Sequence, residues 1–240
     1  LRALSLTPSL LPSAPIAVSP APVEPQAAPL AGFFDGEVER PEQPVSASDL
    51  ASWLSISDAK AAEALDQAAE LANQTKIGRR VLWEAAKLLQ GSPLPVDVLD
   101  LGKNHGEYDY LDTRLRLHKK LLRPENRAIL AATLIHELRH VTQHALGVPA
   151  ESLEMEIEAH LDDLAFMAEL GVTPPEKTFA RQSWEALKKG PEAFVELLSL
   201  ALPGRPRLAA STYAKIEEEL EEQLEDASRG KSARKKKLAE

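Results

Sequence analysis

The chain has 240 residues, a formal net charge of −9 and 44% hydrophobic residues, enough to bury one sizeable core and leave tails outside it. It contains no cysteine, which excludes disulfides and thiolate metal sites and leaves the redox compartment open. The acidic balance argues against nucleic-acid binding, and no apolar run reaches the roughly 18 residues that a transmembrane segment needs.

Residues 1–45 are rich in Pro, Ala, Ser and Val. Repeated prolines remove backbone donors and favour extended polyproline II, so this stretch reads as a linker or disordered arm, with Phe33 and Phe34 as an aromatic pair able to dock on a domain. Its apolar opening, Leu4 to Val18, is also compatible with the remnant of an export signal and hence an extracytoplasmic or secreted location, although the prolines favour the linker.

A folded domain is expected over residues 46–206. Ser48-Asp49 caps a short helix through Trp53, and Ser57-Asp58 caps a second whose stripe runs through Ala61, Leu65, Ala68 and Ala72. A third helix spans Lys76 to Leu89. Beyond the break at Gly91–Pro95, alternation predicts strands at Val96–Leu101, from Glu107 to Tyr110, and at Arg114–His118. These form a small sheet of about three strands, in which Arg114 and Arg116 discourage edge-to-edge aggregation.

The next stretch carries the chemistry. From Pro124 to Gly147 no glycine or proline interrupts an apolar pattern through Ile129, Leu134, Ile135, Leu138 and Val141. At its centre stands His136-Glu137-Leu138-Arg139-His140, an H-E-x-x-H sequence. Four helical residues turn roughly 400°, so His136 and His140 leave one face a turn apart, able to meet one zinc ion at about 2.0–2.1 Å. Glu137 can reach a water at that metal without being a ligand.

A catalytic zinc needs a third protein ligand. A histidine six residues after His140 would mark a metzincin, but Gln143 and Leu146 occupy the diagnostic positions. The following helix, Glu151 to Leu170, offers Glu154, Glu156 and Glu158 instead. Two further helices are expected at Glu176–Lys189 and Pro191–Leu202. Residues 207–240 read as a charged, solvated helix with a basic tail from Arg229 to Lys237.

From about Val96 to Leu170 the chain resembles the gluzincin zinc metallopeptidases, the thermolysin-like group and its minimal relatives. There the H-E-x-x-H helix is followed by a helix bearing E-x-x-A-D or E-x-x-A-N. Glu156-Ile157-Glu158-Ala159-His160 matches with Ala159 in place, so the resemblance implies Glu156 as the third zinc ligand beside His136 and His140. It departs at His160, where the family has the Asp or Asn that orients a ligand histidine. His160 itself, or Asp163 two turns from Glu156, is then expected to take that role.

The resemblance also implies a mostly helical α+β zincin-like domain whose last strand before the motif is a sheet edge that accepts a peptide or protein substrate as an added strand. Glu137 would be the general base of peptide hydrolysis. Oxyanion-donor candidates are Tyr108, Tyr110, His105, His118, His144 and Tyr213, with His144 expected beside the site rather than in it. Two other readings stay open: a catalytically inactive zincin-like zinc-binding or regulatory module, and a helical protein with an accidental motif.

Overall fold

The structure, a computed structural model, describes residues 53–89, 92–149 and 152–208. The proline-rich arm and the charged C-terminal helix and tail lie outside the described residues, as does the expected cap at Ser48-Asp49. In chain order the elements are β1 (Leu54–Ile56), α1 (Ala59–Ala72), α2 (Lys76–Leu88), β2 (Leu94–Leu99), β3 (Gly106–Asp109) and β4 (Arg114–His118). Two 3-10 turns, Lys119–Leu122 and Pro124–Asn126, lead into α3 (Arg127–Ala145), followed by α4 (Leu153–Glu169), α5 (Phe179–Lys189) and α6 (Pro191–Ala201).

Side chains at the helix starts satisfy backbone donors that have no partner within the helix. Asp58 accepts from the N–H groups of Lys60 and Ala61 at the head of α1, and Thr75 from that of Gly78 in α2. Ser152 and Thr178 do the same for α4 and α5, through Met155 and Arg181. Helix α3 ends at Gly147, whose φ of 71° is open to glycine at little cost and lets the chain reverse towards α4.

Helix α3 is the hub, packed against α1, α2 and α4. Leu130, Leu134, Ile135 and Leu138 are buried at its contacts, with Leu65 and Leu82 from the first two helices and Leu164 and Phe166 from the fourth. The α5–α6 hairpin covers α4 through Phe194 and Leu198.

The sheet has four strands in the order β1-β2-β4-β3, where about three were expected. The added strand is β1, three residues paired parallel with β2 from Leu54↔Leu94 to Ile56↔Val96. Strand β2 pairs parallel with β4, and β3 pairs antiparallel with β4. The last strand before α3 is therefore interior, and the edge strand packed against α3 is β3. Arg114 and Arg116 are not edge guards but ion-pair partners: Arg114 reaches Asp97 at 2.9 Å, and Arg116 reaches Glu107 at 3.0 Å and Asp109 at 2.7 Å.

In β3 the backbone groups alternate in direction. The His118 N–H donates to the His105 carbonyl at 2.8 Å, so 105 and 118 form a hydrogen-bonded pair. Gly106 and Tyr108 then fall at the alternate, non-hydrogen-bonded positions, and their N–H and C=O groups point away from β4.

Candidate metal centre

Helices α3 and α4 lie side by side, and four side chains converge between them: His136 and His140 from α3, Glu156 and His160 from α4. The Nε2 atoms of His136 and His140 are 3.2 Å apart. Glu156 Oε2 lies 3.8 Å from His136 Nε2, and its Oε1 lies 3.8 Å from His140 Nε2. One ligand atom from each of His136, Glu156 and His160 falls within a mutual 4.8 Å, and that group could hold a metal ion. Ligands bound tetrahedrally at about 2.0–2.1 Å stand roughly 3.3 Å from one another, so the observed spacings are near what a zinc-sized ion needs.

The hydrogen bonds behind the rings say which nitrogens face the centre with lone pairs. Gln143 donates its amide to the Met155 carbonyl at 3.1 Å and to Glu158 at 2.6 Å, which leaves its Oε1 turned to His140 Nδ1 at 2.8 Å. His140 Nδ1 therefore carries a proton, and the neutral ring has its lone pair on Nε2. His136 Nδ1 is 3.1 Å from Asp163 Oδ2, a carboxylate that can only accept while ionised, so it too donates. With both rings neutral, two lone pairs would face each other across 3.2 Å, a repulsion that a proton or a metal ion between them relieves.

Without a metal that cation is a proton. Burial alone would pull His136 down, but the hydrogen bond to Asp163 and the charges of Glu137, Asp163 and Glu156 outweigh it and push the imidazole up to about 9. Burial takes His140 down to about 4, Glu156 opposing and the charge on His136 adding to the fall. The pair thus shares one proton held on His136, in the place a metal would take. Burial would raise Glu156, but the histidines His140, His136 and His160 and then Arg205 bring it down to about 2.

The three carboxylates of the ligand helix have separate fates. Glu154 is engaged by Arg207 and by the Leu208 N–H, and Glu158 by Gln143 and Arg139. Glu156 alone faces the imidazoles. Its Oε1 also receives Arg205 Nη2 at 3.1 Å, leaving Oε2 towards His136 and His160. Asp163 is the residue that orients His136, and the same Oδ2 accepts from His160 Nδ1 at 3.2 Å. Its other oxygen, Oδ1, is buried with no hydrogen-bond partner among the described residues, so negative charge stays concentrated behind the centre.

Glu137 is 6% exposed and points from α3 towards β3 rather than into the imidazole pair. A Cβ at Gly106 would stand 2.8 Å from its Oε1 and 2.7 Å from Thr133 Cγ2, so only glycine lets the edge strand come this close. The outward Tyr108 N–H donates to the Glu137 carboxylate. Burial raises this group and His136 lowers it, and the outcome is about 7, poised to take or release a proton near neutrality.

The other expected donors separate clearly. Burial and the neighbouring charges of Glu156 and Glu137 push the Tyr110 phenol far up, keeping it protonated, and its ring is 6.4 Å from that of His140. His144 Nδ1 meets the Tyr108 hydroxyl at 2.8 Å and its ring packs edge-on to Tyr110, beside the centre. His118 is occupied elsewhere, with Lys120 N–H donating to Nδ1 at 3.1 Å and Asp100 3.5 Å from Nε2. Burial lowers the His105 imidazole, and the charges of Lys120 and His118 add to the fall. Tyr213 lies outside the described residues.

Two contributors were invisible to sequence reasoning. Arg205 sits in a Pro-Gly-Arg-Pro stretch that reads only as a helix stop, and a long-range ion pair has no local periodicity. Arg139, an unspecified position of the motif, is 3% exposed within a carboxylate cluster. Glu158 and Asp162, one turn apart on α4, were the available hint. No protein family, curated protein or solved structure matches the chain.

Proposed function

We propose that the chain is a zinc-dependent peptidase of gluzincin type, with His136, His140 and Glu156 as zinc ligands and Glu137 as general base. The observation that carries the reading is the pair of Nδ1-protonated imidazoles whose Nε2 atoms face each other at 3.2 Å, with Glu156 alongside and a protonatable Glu137 one residue from His136. Zinc held there would polarise a peptide carbonyl and acidify a water molecule.

The chain's own residues supply the rest. Glu137 takes the proton from the attacking water and returns it to the leaving amine, a task suited to a buried carboxylate beside the metal-binding face. Tyr110, kept protonated, donates to the developing oxyanion. Strand β3, not β4, receives an extended peptide, because the backbone groups of Gly106 and the Tyr108 carbonyl point away from β4. The Tyr108 N–H holds Glu137, which ties the general base to the strand along which substrate would lie.

A broad peptide library digested with zinc-loaded protein tests this. Cleavage that a chelator abolishes and added zinc restores is expected. Stoichiometric zinc with no cleavage anywhere in the library would transfer the assignment to the alternative, a catalytically inactive zincin-like zinc-binding or regulatory module. One observation favours that alternative: a third imidazole, His160, is already at the centre.

A further inference from the structure

We propose that His160 is a fourth protein ligand, so that the resting metal is enclosed by His136, His140, Glu156 and His160. The inference rests on the zinc reading above and specifies how that site is regulated: the coordination position that hydrolysis needs is held by His160 until substrate displaces it.

Glu156 and His160 are one turn apart on α4 and leave the same face. His160 Nε2 is 4.0 Å from Glu156 Oε2, the oxygen that also faces His136, and the His136 and His160 rings are 4.5 Å apart. The three ligand atoms of His136, Glu156 and His160 lie within 4.8 Å of one another, and a contraction of about 0.7 Å takes His160 Nε2 and Glu156 Oε2 to the roughly 3.3 Å separation of tetrahedral ligands. Phe179 of α5 packs edge-on to the His160 ring, with 5.3 Å between centroids.

The tautomer decides between ligand and hydrogen-bond donor. His160 Nδ1 donates to Asp163 Oδ2 at 3.2 Å, the same oxygen that holds His136 Nδ1 at 3.1 Å. The neutral ring therefore presents an Nε2 lone pair, which can bind a metal but cannot donate to an oxyanion. A carboxylate behind the distal nitrogen is the usual support of a metal-ligating histidine. Here one carboxylate supports two rings, and nothing in that support distinguishes His160 from His136.

Four protein ligands close a tetrahedral zinc, whereas a catalytic site keeps one position open. His160 thus acts as a removable stopper on the centre rather than as part of the proton relay.

X-ray absorption spectroscopy of the zinc-loaded full chain counts the imidazoles on the metal. Three are expected in the wild type and two in His160→Ala, whose zinc affinity should also fall by at least about tenfold. His140→Ala should still bind zinc, more weakly, and should also show two imidazoles, now from His136 and His160. A wild-type count of two, or a count of three that survives His160→Ala, overturns the role of His160 and leaves the zinc site standing. Absence of saturable zinc in the wild type overturns both readings together.

Discussion

Helices α3 and α4 share two buried polar clusters of different chemistry. In the first, Arg139 reaches Asp162 at 2.6 Å and Glu84 at 2.9 Å, Arg80 adds a second guanidinium on Asp162, and Gln143 closes on Glu158. Guanidinium groups face carboxylates, with Arg80 Nε buried and short of a hydrogen-bond partner, 3.9 Å from Glu84. In the second, a turn away, imidazole lone pairs and the Glu156 carboxylate face inwards with one shared proton between the histidines. An ionic network of this kind locks helices in register. A cluster of converging acceptors at the same depth could hold a metal ion in place of that proton.

The sharpest break of that comparison is expected at Glu137. Glu137→Gln keeps the size and the hydrogen bond from Tyr108 but cannot take a proton, so peptide hydrolysis should fall by about 10²–10⁴-fold with zinc content unchanged. Zinc analysis together with turnover checks both halves. Loss of zinc in this variant would make Glu137 a ligand.

Next comes the closed cluster. Arg139→Met removes the cation that Asp162 and Glu84 surround and leaves carboxylates buried without it, a loss of about 3–5 kcal/mol. The denaturation midpoint of the metal-free chain reports it. An unchanged midpoint would mean the network does not hold α2, α3 and α4 together.

A smaller effect is expected at the carboxylate behind the rings. Asp163→Asn keeps the volume but loses the charge facing His136 and His160, so zinc affinity should drop by about 10–100-fold. Competition with a chelator measures it, and equal affinity would remove Asp163 from the account.

The smallest effect is a pH dependence. In the metal-free chain Glu137 and His136 are raised from 4.5 to about 7 and from 6.5 to about 9. Each raised group contributes stability that is complete below its unfolded value and is lost as pH rises through its folded value. His140 and Glu156 are depressed, to about 4 and about 2, and their contributions are instead lost as pH falls through those values. The melting temperature of the metal-free chain should therefore decline between about pH 6.5 and 9. Zinc takes the place of the shared proton, so the gap between zinc-loaded and metal-free melting temperatures should widen over that range. A constant gap in calorimetry would contradict the shared-proton arrangement.

Legibility in the sequence followed the range of each interaction. Helices with long apolar periods, such as α1 to α4, were readable, as were His136, Glu137 and His140, because they lie within one turn and a neighbouring position of each other. Strand β1 was not readable, since three residues offer too little alternation to distinguish from a loop. Strand order was not readable either. Alternation says that β4 is a strand, but not that β4 runs parallel beside β2 while β3, between them in the chain, folds back antiparallel on the outer side of β4, so the edge moved from β4 to β3. Asp163 could be proposed from its spacing, whereas Arg205 reaches Glu156 from a stretch that carries only turn signals.

The proposed zinc site is the imidazole and carboxylate cluster between α3 and α4. Titration of zinc into chelator-stripped full-length protein tests it most directly, beside a variant with His136, His140 and Glu156 all replaced by alanine. About one tightly bound zinc per chain is predicted for the wild type and no saturable binding for the triple variant. Equal zinc uptake by both, or none by the wild type, would contradict it.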